Sequence, residues 1–139
     1  RLNILDLSLN NLTKLENSTF DNMALLEYLN LSFNFLSKIQ NRHFSDLNNL
    51  VDLDLSHNFI QSIEENSFNY FFKLKNLFLN SNPIKYIYKI GELDSIKNFF
   101  ISSNIFENIE SLNNLLDIFK SRFFKEAAFH SIDFYESIN

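Results

Sequence analysis

The sequence predicts an α/β solenoid: a curved segment with a parallel β-sheet on its concave side, a mostly irregular convex side and a helical C-terminal part. Three observations carry this reading. First, one frame recurs, Leu-x-Leu-x-x-Asn, as ILDLSLN at 4–10, YLNLSFN at 28–34 and DLDLSHN at 52–58. Second, Asn10, Asn34, Asn58 and Asn82 follow one another at intervals of 24 residues, and Asn104 comes 22 later. Self-similarity at such a period marks a stacked-repeat architecture. Third, the 139-residue chain is 45% apolar yet holds one glycine and one proline, Gly91 and Pro83. That is a core without the usual turn residues, so Asn is expected to shape the turns.

The repeating units align without gaps over three copies. The first reads Leu2, Leu5, Leu7, Asn10, Leu12, Leu15, Phe20, Met23. The second reads Leu26, Leu29, Leu31, Asn34, Leu36, Ile39, Phe44, Leu47, and the third Leu50, Leu53, Leu55, Asn58, Ile60, Ile63, Phe68, Phe71. Each Leu-x-Leu is a short strand with both leucines on one face, and stacking the coils joins those faces into one core. The Asn sits where the backbone leaves the strand. There its side-chain amide, with donors and an acceptor, satisfies buried backbone groups. Asn10, Asn34, Asn58, Asn82 and Asn104 therefore form a structural ladder. Phe20, Phe44 and Phe68 form a second column that fills the wide outer end of each coil.

The later units change. The fourth, Leu74, Leu77, Leu79, Asn82, Ile84, Ile87, lacks the outer Phe and continues through Ile90 and Leu93 around Gly91. Being two residues short, it predicts a local change on the outer side. The fifth is Ile96, Phe99, Ile101, Asn104, Phe106, Ile109, Leu112. From Ser111, a candidate N-cap, the residues Leu112, Leu115, Leu116, Phe119 and Phe123 take helical spacing. Ile132-Asp133-Phe134 alternates as a sixth strand would. About five repeats thus cover 1–110, and 111–139 is an irregular or helical terminal repeat or cap.

Charge and composition exclude several functions. The net charge is −5. It is concentrated in residues 1–68, where four basic residues meet nine acidic ones. No basic stripe exists, which argues against nucleic acid as a partner. No Cys is present, so disulfides, thiol catalysis and thiolate metal sites are absent. No apolar run approaches the roughly 18 residues of a membrane span. The chain opens inside a repeat without a leader-like segment, which suggests a piece of a larger parent, with membrane anchoring left open.

The frame L-x-x-L-x-L-x-x-N-x-L is that of the leucine-rich repeat. The 24-residue form with an outer Phe and LDLSxN strands resembles the typical repeats of animal extracellular proteins, such as Toll-like receptors, small proteoglycans and Slit-like adhesion proteins. It covers roughly four fifths of the chain. The resemblance implies a leucine-rich repeat horseshoe that binds a protein or other ligand on its concave sheet, at the cell surface or outside the cell, without enzymatic activity and without a cofactor. An intracellular leucine-rich scaffold or regulator is the alternative, which the lack of Cys allows.

The variable positions around each Leu-x-Leu fall into columns that line the concave sheet. They are Ile4, Tyr28, Asp52, Asn76, Asn98; then Asp6, Asn30, Asp54, Phe78, Phe100; then Ser8, Ser32, Ser56, Asn80, Ser102; then Leu9, Phe33, His57, Ser81, Ser103. The near-constant Ser column belongs to the scaffold. Tyr28, Phe33, Asp52, Asp54, His57, Phe78 and Phe100 are the candidate ligand-binding residues. Exposed aromatics beside charge are what a protein-binding hot spot uses. The competing reading is a solvated face that reflects the Phe-rich composition, 17 in all. Asp52, Asp54 and His57 are too few for a closed metal site, and no metal is assigned. Ser56, His57 and Asp54 hold triad residue types, but an open sheet supplies no oxyanion hole. His43 and His130 are expected at the surface or partly packed. Asn11, Asn17 and Asn30 open glycosylation sequons, no more than chance supplies in so Asn-rich a chain.

Overall fold

A computed structural model describes residues 2–102, Glu110, residues 113 and 114, and the backbone of Ile132–Tyr135. The strands are β1 (Ile4–Asp6), β2 (Tyr28–Asn30), β3 (Lys38–Ile39), β4 (Asp52–Asp54), β5 (Ser62–Ile63), β6 (Asn76–Leu79), β7 (Tyr86–Ile87), β8 (Asn98–Ser102) and β9 (Ile132–Tyr135). Six of them form one parallel sheet in the order β1-β2-β4-β6-β8-β9. The register is the repeat itself: Leu5 opposes Leu29, Leu29 opposes Leu53, Leu53 opposes Leu77, and Leu77 opposes Phe99. The chain is a parallel β-solenoid.

Period-2 alternation explains the burial. Leu29, Leu53 and Leu77 are fully buried, while their strand neighbours are only half-buried on the other face. The same leucines meet Leu36, Ile39, Ile60, Ile63, Ile84 and Ile87 in one core. That second set carries β3, β5 and β7, a three-stranded parallel sheet in which Ile39 opposes Ile63 and Ile63 opposes Ile87. The convex side is therefore mostly turns, with a short second sheet that the sequence pattern did not announce.

Phe20, Phe44 and Phe68 are buried as the outer column requires. Phe20 stacks on Phe44 at 5.9 Å between ring centroids, and Phe71 joins Phe44 at 5.6 Å and Phe68 at 5.4 Å. The shortened fourth unit changes how neighbouring coils meet. Between the second and third coils the outer turns are tied by side chains: Glu64 accepts from the Gln40 amide and from the Asn41 N–H. At the fourth coil the chain draws close enough for backbone bonds. Asn66 N–H donates to Lys89 O and Phe68 N–H to Ile90 O, both at 2.7 Å. Gly91 permits this approach. It has φ +140°, and a Cβ there would lie 2.8 Å from the Phe68 carbonyl carbon and 2.9 Å from Asn69 N.

Beyond Ser102 the description is partial. Glu110, Asn113 and Asn114 are helical, and Asn114 donates its amide to Ile87 O at 2.9 Å. The rest of the helix expected from Ser111 to Phe123, including the Ser111 cap, lies outside the described residues, as do Asn104 and His130. Ile132 and Phe134 oppose Phe99 and Ile101 across β9 and β8, so the sixth strand is present.

Candidate functional site

The concave sheet is a grid in which each strand offers two side chains. Ile4, Tyr28, Asp52, Asn76 and Asn98 stand in one row of neighbours, and Asp6, Asn30, Asp54, Phe78 and Phe100 in the next. Part of this grid serves the backbone. Asp6 Oδ1 accepts the Ser8 N–H at 2.9 Å, Asn30 Oδ1 the Ser32 N–H at 3.0 Å, and Asp54 Oδ1 the Ser56 N–H at 2.9 Å. Each is an Asx turn that bends the chain out of its strand. Bonds from Ser8 also hold the Asp6 carboxyl below its ordinary pKa. Ser32 and Ser56 are buried, so the Ser column is scaffold.

Two positions depart from that turn device. Phe78 and Phe100 replace the Asx residue in the fourth and fifth coils and stack on each other at 4.7 Å with 5° between ring planes. They are half-buried rather than fully solvent-facing, because parallel in-register strands set their rings face to face. The first row holds a polar ladder: Asn98 donates its amide to Asn76 Oδ1 at 2.6 Å, and Asn76 donates to Asp52 Oδ1. Tyr28 lies beside these carboxylates. Burial first, then the charges of Asp6 and Asp54, push its phenol pKa up.

The fourth column refines the expectation that Asn shapes the turns. Leu9, Phe33, His57 and Ser81 take the left-handed conformation, with φ of 55°, 53°, 52° and 56°. Asn10, Asn34, Asn58 and Asn82 follow that turn and clamp it. Asn58 donates to Leu31 O at 2.9 Å, Leu55 O at 3.2 Å and Ser56 O at 3.1 Å, and accepts Leu36 N–H at 3.0 Å. Asn34 and Asn82 repeat the pattern with Leu12 and Ile60 as donors. Asn10 makes the within-coil part of the same pattern. It is exposed, and among the described residues it bonds Leu7 O and Ser8 O of its own coil. Left-handed Asn does occur on the outer side, at Asn22 and Asn66.

Phe33 stacks on His57 at 4.2 Å and 7°, which brings two of the sequence candidates together at the edge of the sheet. Beside them Phe35 stacks on Phe59 at 5.7 Å, both about half exposed at 49% and 54%. Sequence reasoning missed this second pair. The columns stopped at the Asn, and carrying them one residue further gives Asn11, Phe35, Phe59, Pro83.

His43, expected at the surface or partly packed, is buried. Its Nδ1 accepts the Gln40 N–H at 3.2 Å, the place where Thr19 Oγ1 accepts the Glu16 N–H one coil earlier. Its Nε2 is buried without a partner, and burial pushes its pKa down. Among the described residues no helix is long and apolar enough to cross a membrane. Asn30 of the third sequon is engaged in its Asx turn and in a bond from Ser32 Oγ.

A leucine rich repeat family model matches residues 1–59 and again residues 26–84, which is more than half of the chain. No curated protein matches it.

Proposed function

The chain belongs to the leucine-rich repeat family, and from that premise we propose that it recognises a protein partner on its concave sheet as part of an extracellular receptor or adhesion protein. Repeats of this family serve as protein-binding modules; the concave face, the 24-residue animal extracellular type and the cell-surface location are proposed with it. In it, residues 1–110 are the recognition array and 111–139 a terminal unit. Tyr28, Phe33, Asp52, Asp54, His57, Phe78 and Phe100 meet the partner. No cofactor, metal or catalytic role is assigned.

The observation that carries the reading is the division of labour within each coil. Asn34, Asn58 and Asn82 and the strand leucines Leu29, Leu53 and Leu77 repeat and are buried, while the side chains of the first two rows of the grid differ from coil to coil and stay at least partly exposed. A surface that varies on an invariant scaffold is the arrangement recognition requires. The lack of Cys allows a second reading, an intracellular leucine-rich scaffold or regulatory subunit. Surface biotinylation of cells producing the whole protein separates the two: labelling supports the receptor reading, protection the intracellular one. For the face, Asp54→Arg and Phe78→Ala are expected to abolish partner capture while circular dichroism stays unchanged. Undiminished capture by both folded variants would refute it.

A further inference from the structure

The concave grid is chemically lopsided. Across its four columns stand Asp6, Asp52 and Asp54, and no Lys or Arg. The ion pair of Lys14 with Glu16 lies away from this face, and among the described residues no basic side chain pairs with the three aspartates. Two aromatics flank the central pair. Tyr28 opposes Asp52 from β2, and Phe78 opposes Asp54 from β6. Phe100 covers one face of the Phe78 ring, which leaves its other face turned toward the Asp54 strand. The carboxylates are also held in place: Asp54 spends Oδ1 on Ser56 N–H, and Asp52 spends Oδ1 on Asn76. Each keeps Oδ2 for an incoming donor.

We propose that the part of the concave sheet formed by Tyr28, Asp52, Asp54 and Phe78 receives an arginine side chain of the partner polypeptide. The proposal deepens the concave-face reading and rests on it. Asp52 and Asp54, two residues apart on one strand face, stand about 6–7 Å from each other, a span the guanidinium fork bridges with several donors. The planar cation also stacks on aromatic rings, which a compact ammonium does less well. The occupant is a polypeptide because the surface continues past the acids into the Phe78–Phe100 pair, which gives an apolar neighbour of that arginine a place to lie.

The test is fluorescence anisotropy of the full chain with three labelled peptides, Gly-Arg-Gly-Phe-Gly and its lysine and citrulline counterparts, each ending in a benzophenone for cross-link mapping. The arginine peptide is expected to bind about tenfold more tightly than the citrulline one, with the lysine peptide between them. Asp54→Asn should remove that preference without unfolding the turn, since Asn30 already makes the same Asx turn one coil earlier. Phe78→Leu should weaken both peptides, whose Phe shares that seat, and the arginine peptide more, because it also loses the ring under its cation. Arginine binding that equals citrulline or lysine binding overturns the arginine assignment. If the cross-links still map to the concave strands in that case, the concave-face reading survives alone. Cross-links confined to the outer turns overturn both, and no binding of the arginine peptide overturns the slot, whatever the partner-capture result.

Discussion

Replacing Asn58 by Ala isolates what the ladder contributes. Its amide donates to three carbonyls, yet each of those keeps another donor. Leu31 O still receives the Asn34 amide, Leu55 O the Asn82 amide, and Ser56 O the Phe33 N–H. The Leu36 N–H is different: its partner is Asn58 Oδ1, in a buried setting. The cost of Asn58→Ala is therefore that of one orphaned buried donor, about 1–3 kcal/mol. Asn58→Asp should cost more, because a carboxylate would restore the acceptor for Leu36 while turning its second oxygen on three carbonyls. Asn10→Ala, at an exposed site bonded, among the described residues, within its own coil, should fall within about 0.5 kcal/mol of the parent. Urea unfolding followed by far-ultraviolet circular dichroism measures all three, given an unchanged m-value. Equal losses at positions 10 and 58, or Asp tolerated better than Ala at 58, would refute the bridging role.

Other outcomes follow from single features. Gly91→Ala should destabilise by about 1–3 kcal/mol, since φ +140° is strained for any L side chain and the new Cβ would meet backbone at 2.8 Å; a neutral result in the same urea assay would show the close approach to be unimportant. Leu9→Gly should stabilise by about 0.5 kcal/mol, because Leu9 is left-handed and 77% exposed, and relief of a left-handed cost of about 1–2 kcal/mol exceeds the added chain entropy. A lower urea midpoint for Leu9→Gly would count against that. His43 gives a pH dependence. Its folded pKa is depressed by burial, so the folded state resists protonation. The unfolded chain takes up that proton below about pH 6.5, and stability should fall from pH 7 to 5, above the range where carboxylates titrate. His43→Thr, which keeps the turn acceptor seen at Thr19, should flatten thermal midpoints over that window; an unaltered slope would assign it elsewhere.

The parts legible in the sequence are those where one physical demand recurs in every coil. Leu29, Leu53 and Leu77 announce the strands because stacked coils bury the same face each time. Asn34, Asn58 and Asn82 announce the ladder because the same backbone groups need partners 24 residues apart. The candidate site was legible as a set of positions, and less so as roles. Asp6 and Asp54 read as surface charge, while the structure gives one oxygen of each to a turn. The left-handed turn was invisible because Leu9, Phe33, His57 and Ser81 share no side-chain chemistry; stacking alone imposes that conformation on unsuited residues. His43 read as a surface or partly packed residue because His is usually accessible, but here the ring replaces a turn hydroxyl inside the outer wall. The outer sheet of β3, β5 and β7 escaped notice because two-residue strands leave no alternation to detect.

Site-specific photo-cross-linking tests the central claim most directly. A p-benzoylphenylalanine is placed at Asn98, exposed on the concave sheet, or at Tyr86, half exposed on the outer sheet, in cells that produce the whole protein. A discrete protein adduct at Asn98 that Asp54→Arg abolishes, with none at Tyr86, is the expected result. The same adduct at Tyr86, with Asn98 silent, would contradict recognition by the concave face.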